Sequence, residues 1–191
     1  MKNLIIKEID KLLQDEKRII IGIDGRSGSG KSSLANELAK TYDSNLFHMD
    51  DFFLPGKEKT EERLNQPGGN VDYMRFKDQV MDNLVSDKAF TYEIFDCKLQ
   101  ALTKKRTISP KKLNIVEGVY SMHPLLIDSY QLKIFLDIDD ESQRERIILR
   151  NGKDMYRKFK EEWIPLEDKY FQAFGIREKA DILLSSTENR D

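Results

Sequence analysis

A glycine-rich segment near the start of the chain has the residue types and spacing of a phosphate-binding loop. It matches the pattern Gly25-x4-Gly30-Lys31-Ser32 at every fixed position. Glycines let main-chain N–H groups turn inward toward anionic oxygens. The ammonium group of Lys31 would reach the outer phosphates, and the Ser32 hydroxyl would ligate a magnesium ion. The motif therefore predicts a site for the polyphosphate of a nucleotide with Mg²⁺.

The segments on either side of the loop favour the strand-then-helix setting that such a loop requires. Residues 19–23 are apolar and β-branched, and residues 33–42 carry leucines and alanines on one helical face. The positive end of that helix would face the same phosphates. A dinucleotide-binding fingerprint fails, because its third glycine would fall on Ser33. We expect the nucleotide to contact Gly25, Arg26, Ser27, Gly28, Ser29, Gly30, Lys31, Ser32 and Ser33.

Acidic residues end two further predicted strands. Residues 45–50 look like a strand that ends in Asp50 and Asp51, and an apolar strand at 113–116 leads to Glu117. Phosphoryl transfer needs a group that takes the proton of the acceptor, and we assign that role to Asp50. Asp51 would support it through a metal-bound water, because neighbouring side chains on an extended chain point to opposite faces. Glu117 is expected near the magnesium, with turn or capping roles as the alternative for all three.

Arginines lie on a predicted helix at residues 141–150. Arg146 and Arg150 are four residues apart and therefore share one face of that helix. A mobile segment that carries them would close on the nucleotide and neutralise charge in the transition state. The alternative is a solvated helix face, which is our interpretation of Arg144.

The order of predicted elements indicates an α/β fold with a parallel sheet and helices on both faces, of the P-loop NTPase type. Apolar strands at 133–138 and 181–184 alternate with helices at 3–15, 73–85 and 156–174. Strands at 90–95 and 99–110 form a small hairpin, and residues 54–72 form a long loop rich in proline and glycine. Ligands bind beyond the carboxyl ends of such strands, where the acidic residues and the phosphate loop fall.

Composition limits the class of protein. The chain has 191 residues, of which 39% are hydrophobic and 35% charged, so we expect a single domain over 1–191. A net charge of −2 argues against a nucleic-acid partner, and Cys97 is the only cysteine, which excludes an internal disulfide. No apolar run approaches a membrane span, and the start of the chain lacks a signal-peptide core. We expect a cytoplasmic enzyme; whether it forms oligomers stays open.

The order of these motifs resembles the uridine kinase family of P-loop kinases. The resemblance covers roughly residues 18–175 and depends on the phosphate loop, on Asp-Asp-Phe-Phe at 50–53 and on Glu117-Gly118. The Asp-Asp-Phe-Phe string is also similar to nicotinamide riboside kinases. The resemblance implies that ATP, with Mg²⁺, donates its γ-phosphate to a small-molecule acceptor, the 5′-hydroxyl of a nucleoside such as uridine or cytidine.

The same resemblance implies roles for individual residues. Lys31, Ser32 and Glu117 match the phosphate and magnesium ligands of the family, and Asp50 matches its catalytic aspartate. The two arginines match those of a short helical lid at about 141–160, and the hairpin at about 90–110 matches a substrate hairpin. The acceptor would be bordered by Asp50, Phe53, Asp72 and Phe95. His123 has no clear counterpart in the family, but its position shortly after Glu117-Gly118 would let it face the same cleft.

Several of these assignments leave a plainer alternative open. Asp72 resembles the aspartate that binds the ribose hydroxyls, but it also suits the N-cap of the next helix. Phe53 and Phe95 would serve equally well as core residues, and a lone histidine such as His123 is often structural. The lid is shorter than in uridine kinases, with Lys153 in place of an arginine.

Other functions remain in competition. A kinase for another metabolite, such as nicotinamide riboside, would use the same chemistry. A GTPase-type switch would require an Asn-Lys-x-Asp motif, which the sequence does not contain. A nucleotide-binding regulatory protein without turnover stays open.

Overall fold

The computed structural model describes residues 2–185 and has a five-stranded parallel sheet with helices on both faces. The predicted α/β class is confirmed. The strands are β1 (Ile19–Gly25), β2 (Ser44–His48), β3 (Phe90–Asp96), β4 (Ala101–Ile108), β5 (Leu113–Glu117), β6 (Leu132–Asp137) and β7 (Ile182–Ser185). The helices are α1 (Lys2–Asp15), α2 (Lys31–Thr41), α3 (Glu61–Leu64), α4 (Tyr73–Phe76), α5 (Asp82–Leu84), α6 (Asp140–Asn151), α7 (Lys153–Lys158) and α8 (Ile164–Phe174).

The strand order places three carboxyl ends side by side. The order across the sheet is β2-β5-β1-β6-β7, and β3 pairs with β4 in a separate antiparallel hairpin. Glu117 at the end of β5 is in register with Ile23 of β1 on one side and with His48 of β2 on the other. The loop after β1, the turn after β2 and the end of β5 therefore meet at one edge of the sheet.

The sheet separates two hydrophobic clusters. Alternate residues of β1 enter opposite clusters: Ile21 packs with α1 and α2, whereas Ile20 packs with the aromatic side of the molecule. That aromatic side includes Phe47, Phe52 and Tyr170. Burial on both faces explains why these strands are apolar runs rather than alternating ones.

Several elements differ in detail from the sequence expectation. The second strand ends at His48, and the next residues form a 3₁₀ turn, Met49–Phe52. The long loop contains α3, which begins where the Thr60 hydroxyl accepts a hydrogen bond from Arg63 N. The predicted helix at 156–174 is longer and runs from α7 through a π-helical segment, Phe159–Trp163, into α8. Pro165 lies two residues after that segment and, because it has no N–H, cannot donate a hydrogen bond to the preceding turn.

The helix at 73–85 is also divided, because a π-helical segment, Lys77–Met81, joins α4 to α5. Between residues 2 and 185, no helix is long and apolar enough to cross a membrane.

Candidate functional site

A cleft of about 240 Å³ lies between the phosphate loop and α6. Gly28 and Gly30 have φ angles of 81° and 103°, a left-handed conformation that glycine tolerates. The chain then enters α2, whose first N–H groups have no partners within the helix. The predicted arginines and the second half of the predicted loop share this cleft, which is lined by Gly28, Gly30, Lys31, Ser32, Ser33, Arg146 and Arg150.

In the first half of the loop, residues 25–27, the main-chain N–H groups donate hydrogen bonds to other protein groups rather than facing the cleft. The N–H of Gly25 donates to Asp24 at 2.7 Å, that of Arg26 to the Leu136 carbonyl at 3.3 Å, and that of Ser27 to Glu167 at 3.0 Å. The predicted nucleotide contact is therefore not supported for Gly25, Arg26 and Ser27, because their main-chain donors are already used. These three residues anchor the loop.

Lys31 crosses the loop and is 7% exposed. Its ammonium group donates to the main-chain carbonyls of Gly25 at 2.7 Å and of Arg26 at 2.9 Å. These bonds hold the positive charge beside the cleft that the side chain also lines.

Ser32 and Glu117 are in direct contact. The Ser32 hydroxyl donates to the Glu117 carboxylate, with oxygen–oxygen distances of 3.0 and 3.2 Å. His48 Nδ1 lies 2.6 Å from the same carboxylate, and this hydrogen bond raises the pKa of His48. A hydroxyl and a carboxylate are hard oxygen donors, which suit Mg²⁺ when phosphate and water complete its shell. Among the described residues, no group of three or more His, Cys, Asp or Glu residues forms a metal cage.

Asp50 lies on the 3₁₀ turn after β2 and is exposed. Desolvation by the surrounding protein, and next the charge of Glu117, raises the pKa of Asp50, while the charge of Lys31 opposes the rise. Asp50 is therefore electrostatically coupled to the Ser32–Glu117 pair and to the phosphate loop.

Asp51 faces the hairpin. Its carboxylate accepts a hydrogen bond from the Tyr92 hydroxyl at 3.2 Å, and the charges of Arg106 and Arg75 also act on it. The expectation that it alternates with Asp50 on an extended chain is wrong, because both residues lie on a 3₁₀ turn. One oxygen of its carboxylate is engaged with β3, and its support of the metal stays a prediction.

The predicted arginines approach the loop from α6. Arg146 donates to the Gly28 carbonyl at 3.2 Å, and Arg150 donates to the Asn151 side chain at 2.7 Å. Lys153, the first residue of α7, is exposed.

The predicted acceptor residues fall into two groups. Phe53 is half-buried, with the Lys59 ammonium 5.6 Å from its ring centroid. Asp72 is half-buried at the N-cap of α4, where it accepts hydrogen bonds from the main chain of Arg75 at 2.9 Å and its side chain at 3.3 Å. The capping alternative is confirmed for Asp72, and both residues keep accessible surface.

The other two predicted acceptor residues are packed inside the protein. Phe95 is 4% exposed on β3, as its core alternative requires. His123 is 6% exposed and stacks on Tyr73 with 3.9 Å between ring centroids. Burial, and next the charge of Arg63, lowers the pKa of His123 to about 4. A contact between substrate and either Phe95 or His123 is not supported, because neighbouring side chains cover both.

Two buried carboxyl groups behind the loop are additional to the predicted residues. Asp24 is an acidic residue within an apolar strand, a pattern that would have marked it as unusual. Glu167 lies on α8, which carries both polar and apolar residues, and it contacts Ser27, which is 140 positions away in the chain. Nothing local in the sequence indicates that contact.

Known proteins share the sequence pattern over most of the chain. A uridine kinase from Oceanobacillus iheyensis is 26% identical over 157 residues, covering 74% of this chain and 71% of that protein. A uridine kinase from Bacillus pumilus is 26% identical over 151 residues, with the same shares covered. The chain is uridine kinase-like. The resemblance expected from the motifs is therefore confirmed, although no family model matches the chain.

A solved structure shares the fold. A protein from Bacillus stearothermophilus, described as a possible uridine kinase, superimposes with a TM-score of 0.69 at 22% identity. The match covers 94% of this chain and 98% of that one, so the whole α/β architecture is common to both.

Proposed function

We propose that this chain is a kinase that transfers the γ-phosphate of ATP to a nucleoside hydroxyl, first of all the 5′-hydroxyl of uridine or cytidine. One observation carries the proposal: Asp50 and the Ser32–Glu117 pair lie at the sheet edge where the phosphate loop opens into a cleft. The similarity to proteins named uridine kinases supports the class of acceptor.

The phosphate side of the site would work by positioning and charge. Main-chain N–H groups at the start of α2 and the ammonium group of Lys31 would bind the outer phosphates. Arg146 and Arg150 line the same cleft and would neutralise charge on the transferred group, with 141–160 as the proposed lid. Ser32 and Glu117 would hold Mg²⁺, which supplies charge neutralisation across the phosphates when bound.

The acceptor side would work through Asp50. As the acceptor oxygen bonds to the γ-phosphorus and ADP leaves, the hydroxyl proton passes to the Asp50 carboxylate. A raised pKa makes this carboxylate a stronger base. Asp72 would hold the sugar hydroxyls with its remaining lone pairs, Phe53 would border the base, and the β3–β4 hairpin would cover the acceptor.

Two alternatives share most of this geometry. A kinase for another alcohol, such as nicotinamide riboside, would differ only at the acceptor contacts, while a regulatory protein would bind ATP without turnover. The cytoplasm is the proposed compartment, since ATP is available there and the exposed thiol of Cys97 would stay reduced.

A panel assay separates these functions. ADP release from ATP and Mg²⁺ is measured without an acceptor and with uridine, cytidine, other nucleosides or nicotinamide riboside. We expect at least a tenfold stimulation by uridine or cytidine, because the acceptor completes the reacting pair. ADP release that ignores every acceptor, or none at all, would contradict the proposal.

A further inference from the structure

Glu167 holds the phosphate loop from behind. Its side chain is 4% exposed on α8 and accepts two hydrogen bonds from Ser27, one from the main-chain N–H at 3.0 Å and one from the hydroxyl at 2.5 Å. The carbonyl of Ser27 accepts a third bond, from the Gln143 amide at 2.9 Å. All three polar groups of Ser27 are therefore fixed by protein side chains.

The same face of α8 holds the strand that leads into the loop. Tyr170, three residues after Glu167, donates its hydroxyl to Asp24 at 2.8 Å. Asp24 in turn accepts the N–H of Gly25 at 2.7 Å. Residues three apart on a helix are neighbours, so one helix face fixes the beginning of the loop at Gly25 and its middle at Ser27.

A carboxylate in this position is electrostatically unusual. It lies behind a loop that has the features of an anion site, and desolvation by burial raises the pKa of Glu167. The charge of Lys31 and the two bonds from Ser27 oppose that rise, while the charge of Asp168 adds to it. The charge of this carboxylate also contributes to raising the pKa of Tyr120, after desolvation by burial. Burying a carboxylate costs free energy unless hydrogen bonds offset the lost contact with water, and the two bonds from Ser27 provide that offset here.

We propose that Glu167 is a positioning residue for nucleotide binding: by bonding both donors of Ser27, it holds the first half of the loop so that the second half faces the phosphates. The inference rests on one part of the proposed function, namely that the loop binds a nucleotide. Lost positioning would weaken nucleotide binding by the folded protein in addition to any loss of stability.

Two substitutions of Glu167 distinguish the effect of side-chain length, which sets its reach, from the effect of its charge. Glu167→Gln keeps the length of the side chain: its amide oxygen accepts from the Ser27 N–H, and its NH₂ donates to the Ser27 hydroxyl, which rotates to accept. Glu167→Asp keeps the charge but is one methylene shorter, so it cannot reach both donors. Asp168→Asn, at a half-buried acid on the same helix, is the matched control.

The measurement is the dissociation constant for ADP with Mg²⁺, by calorimetry on the full chain, with the melting temperature of each ligand-free variant. We expect Glu167→Asp to weaken binding about tenfold and Glu167→Gln to stay within about twofold of wild type. Asp168→Asn should also bind like wild type. If Glu167→Asp does not fold, Ser27→Ala, which removes one bond, should weaken binding about threefold.

Three results would overturn the inference. Unchanged ADP affinity in Glu167→Asp, or in Ser27→Ala where the former does not fold, would leave Glu167 a purely structural group. Weakening in Glu167→Gln alone would show that charge matters rather than reach, and equal weakening in Glu167→Gln and Glu167→Asp would show that reach without the charge is not sufficient. Failure of the wild-type chain to bind ADP would instead contradict the proposed function.

Discussion

At the scale of single residues, Asp24 is a carboxyl group enclosed within the apolar strand β1. It is fully buried and accepts hydrogen bonds from Gly25 N, Met122 N and the Tyr170 hydroxyl. Burial raises the pKa of Asp24 from 3.8 to about 6, although these bonds and the charge of Lys31 oppose the rise. The folded protein therefore binds this proton more tightly than the unfolded chain does.

The sign of the pH dependence follows from that difference. The stabilisation from protonated Asp24 is complete below about pH 4 and is lost as the pH rises through about 6. Asp24→Asn does not titrate, so we expect the free energy of unfolding of this variant, relative to that of wild type, to rise by roughly 2–3 kcal/mol between pH 4 and pH 7. Urea titrations of both proteins across this range measure the effect, and a difference that does not change with pH would contradict it.

Residue-scale contacts also show where sequence reasoning ends. The spacing of Gly25, Gly30, Lys31 and Ser32 is local, so the loop could be predicted without knowledge of any other part of the chain. Which N–H groups face the cleft could not be predicted, because it depends on acceptors such as Glu167, 140 positions away. The burial of His123 likewise depends on Tyr73, a distant aromatic neighbour.

At the scale of elements, the junction between β1 and the loop tolerates only glycine. Gly25 has a φ of 138°, and a Cβ there would lie 2.0 Å from the Leu136 carbonyl oxygen of β6. Gly152, between α6 and α7, has a φ of 84°, but a Cβ there would have no neighbour within 4 Å. A side chain at Gly25 would therefore cause both a steric clash with β6 and backbone strain, whereas one at Gly152 would cause backbone strain alone.

Alanine substitutions test that distinction. Gly152→Ala should cost roughly 1–3 kcal/mol, because a φ of 84° with a ψ of 166° is a backbone conformation that essentially only glycine adopts. Gly25→Ala should cost more than about 4 kcal/mol or prevent folding, because either the substituted chain or β6 must move. Far-ultraviolet circular dichroism and urea unfolding measure both variants, and equal losses of stability would rule out the proposed strand conflict.

The elements themselves were more predictable than their ends. Long apolar strands and amphipathic helices such as α1 have strong periodic patterns, and they lie where the sequence indicates. The 3₁₀ turn that carries Asp50 and Asp51 has no such pattern, and its geometry is set by packing of Phe52 against Phe76 and Tyr92. The sequence predicts an extended strand at this position, and the expectation that the side chains of Asp50 and Asp51 point to opposite faces is therefore wrong.

At the scale of the whole molecule, the order of strands brings the two sides of the site together. β5 lies between β1 and β2, so Glu117 is adjacent to both the phosphate loop and the turn that carries Asp50. The parallel α/β class could be predicted from alternating strands and helices, but the neighbours of each strand could not. A single domain over 1–191 stays a prediction, with residue 1 and residues 186–191 outside the described chain.

The central claim is that this one cleft holds a polyphosphate on one side and activates an acceptor alcohol through Asp50 on the other. Asp50→Asn, assayed as uridine-dependent ADP release together with the dissociation constant for a non-hydrolysable ATP analogue, tests it most directly. We expect turnover to fall by about 10²-fold or more, while analogue binding stays within about twofold of wild type, because only the proton acceptor is lost. Near-normal turnover in Asp50→Asn would contradict the claim.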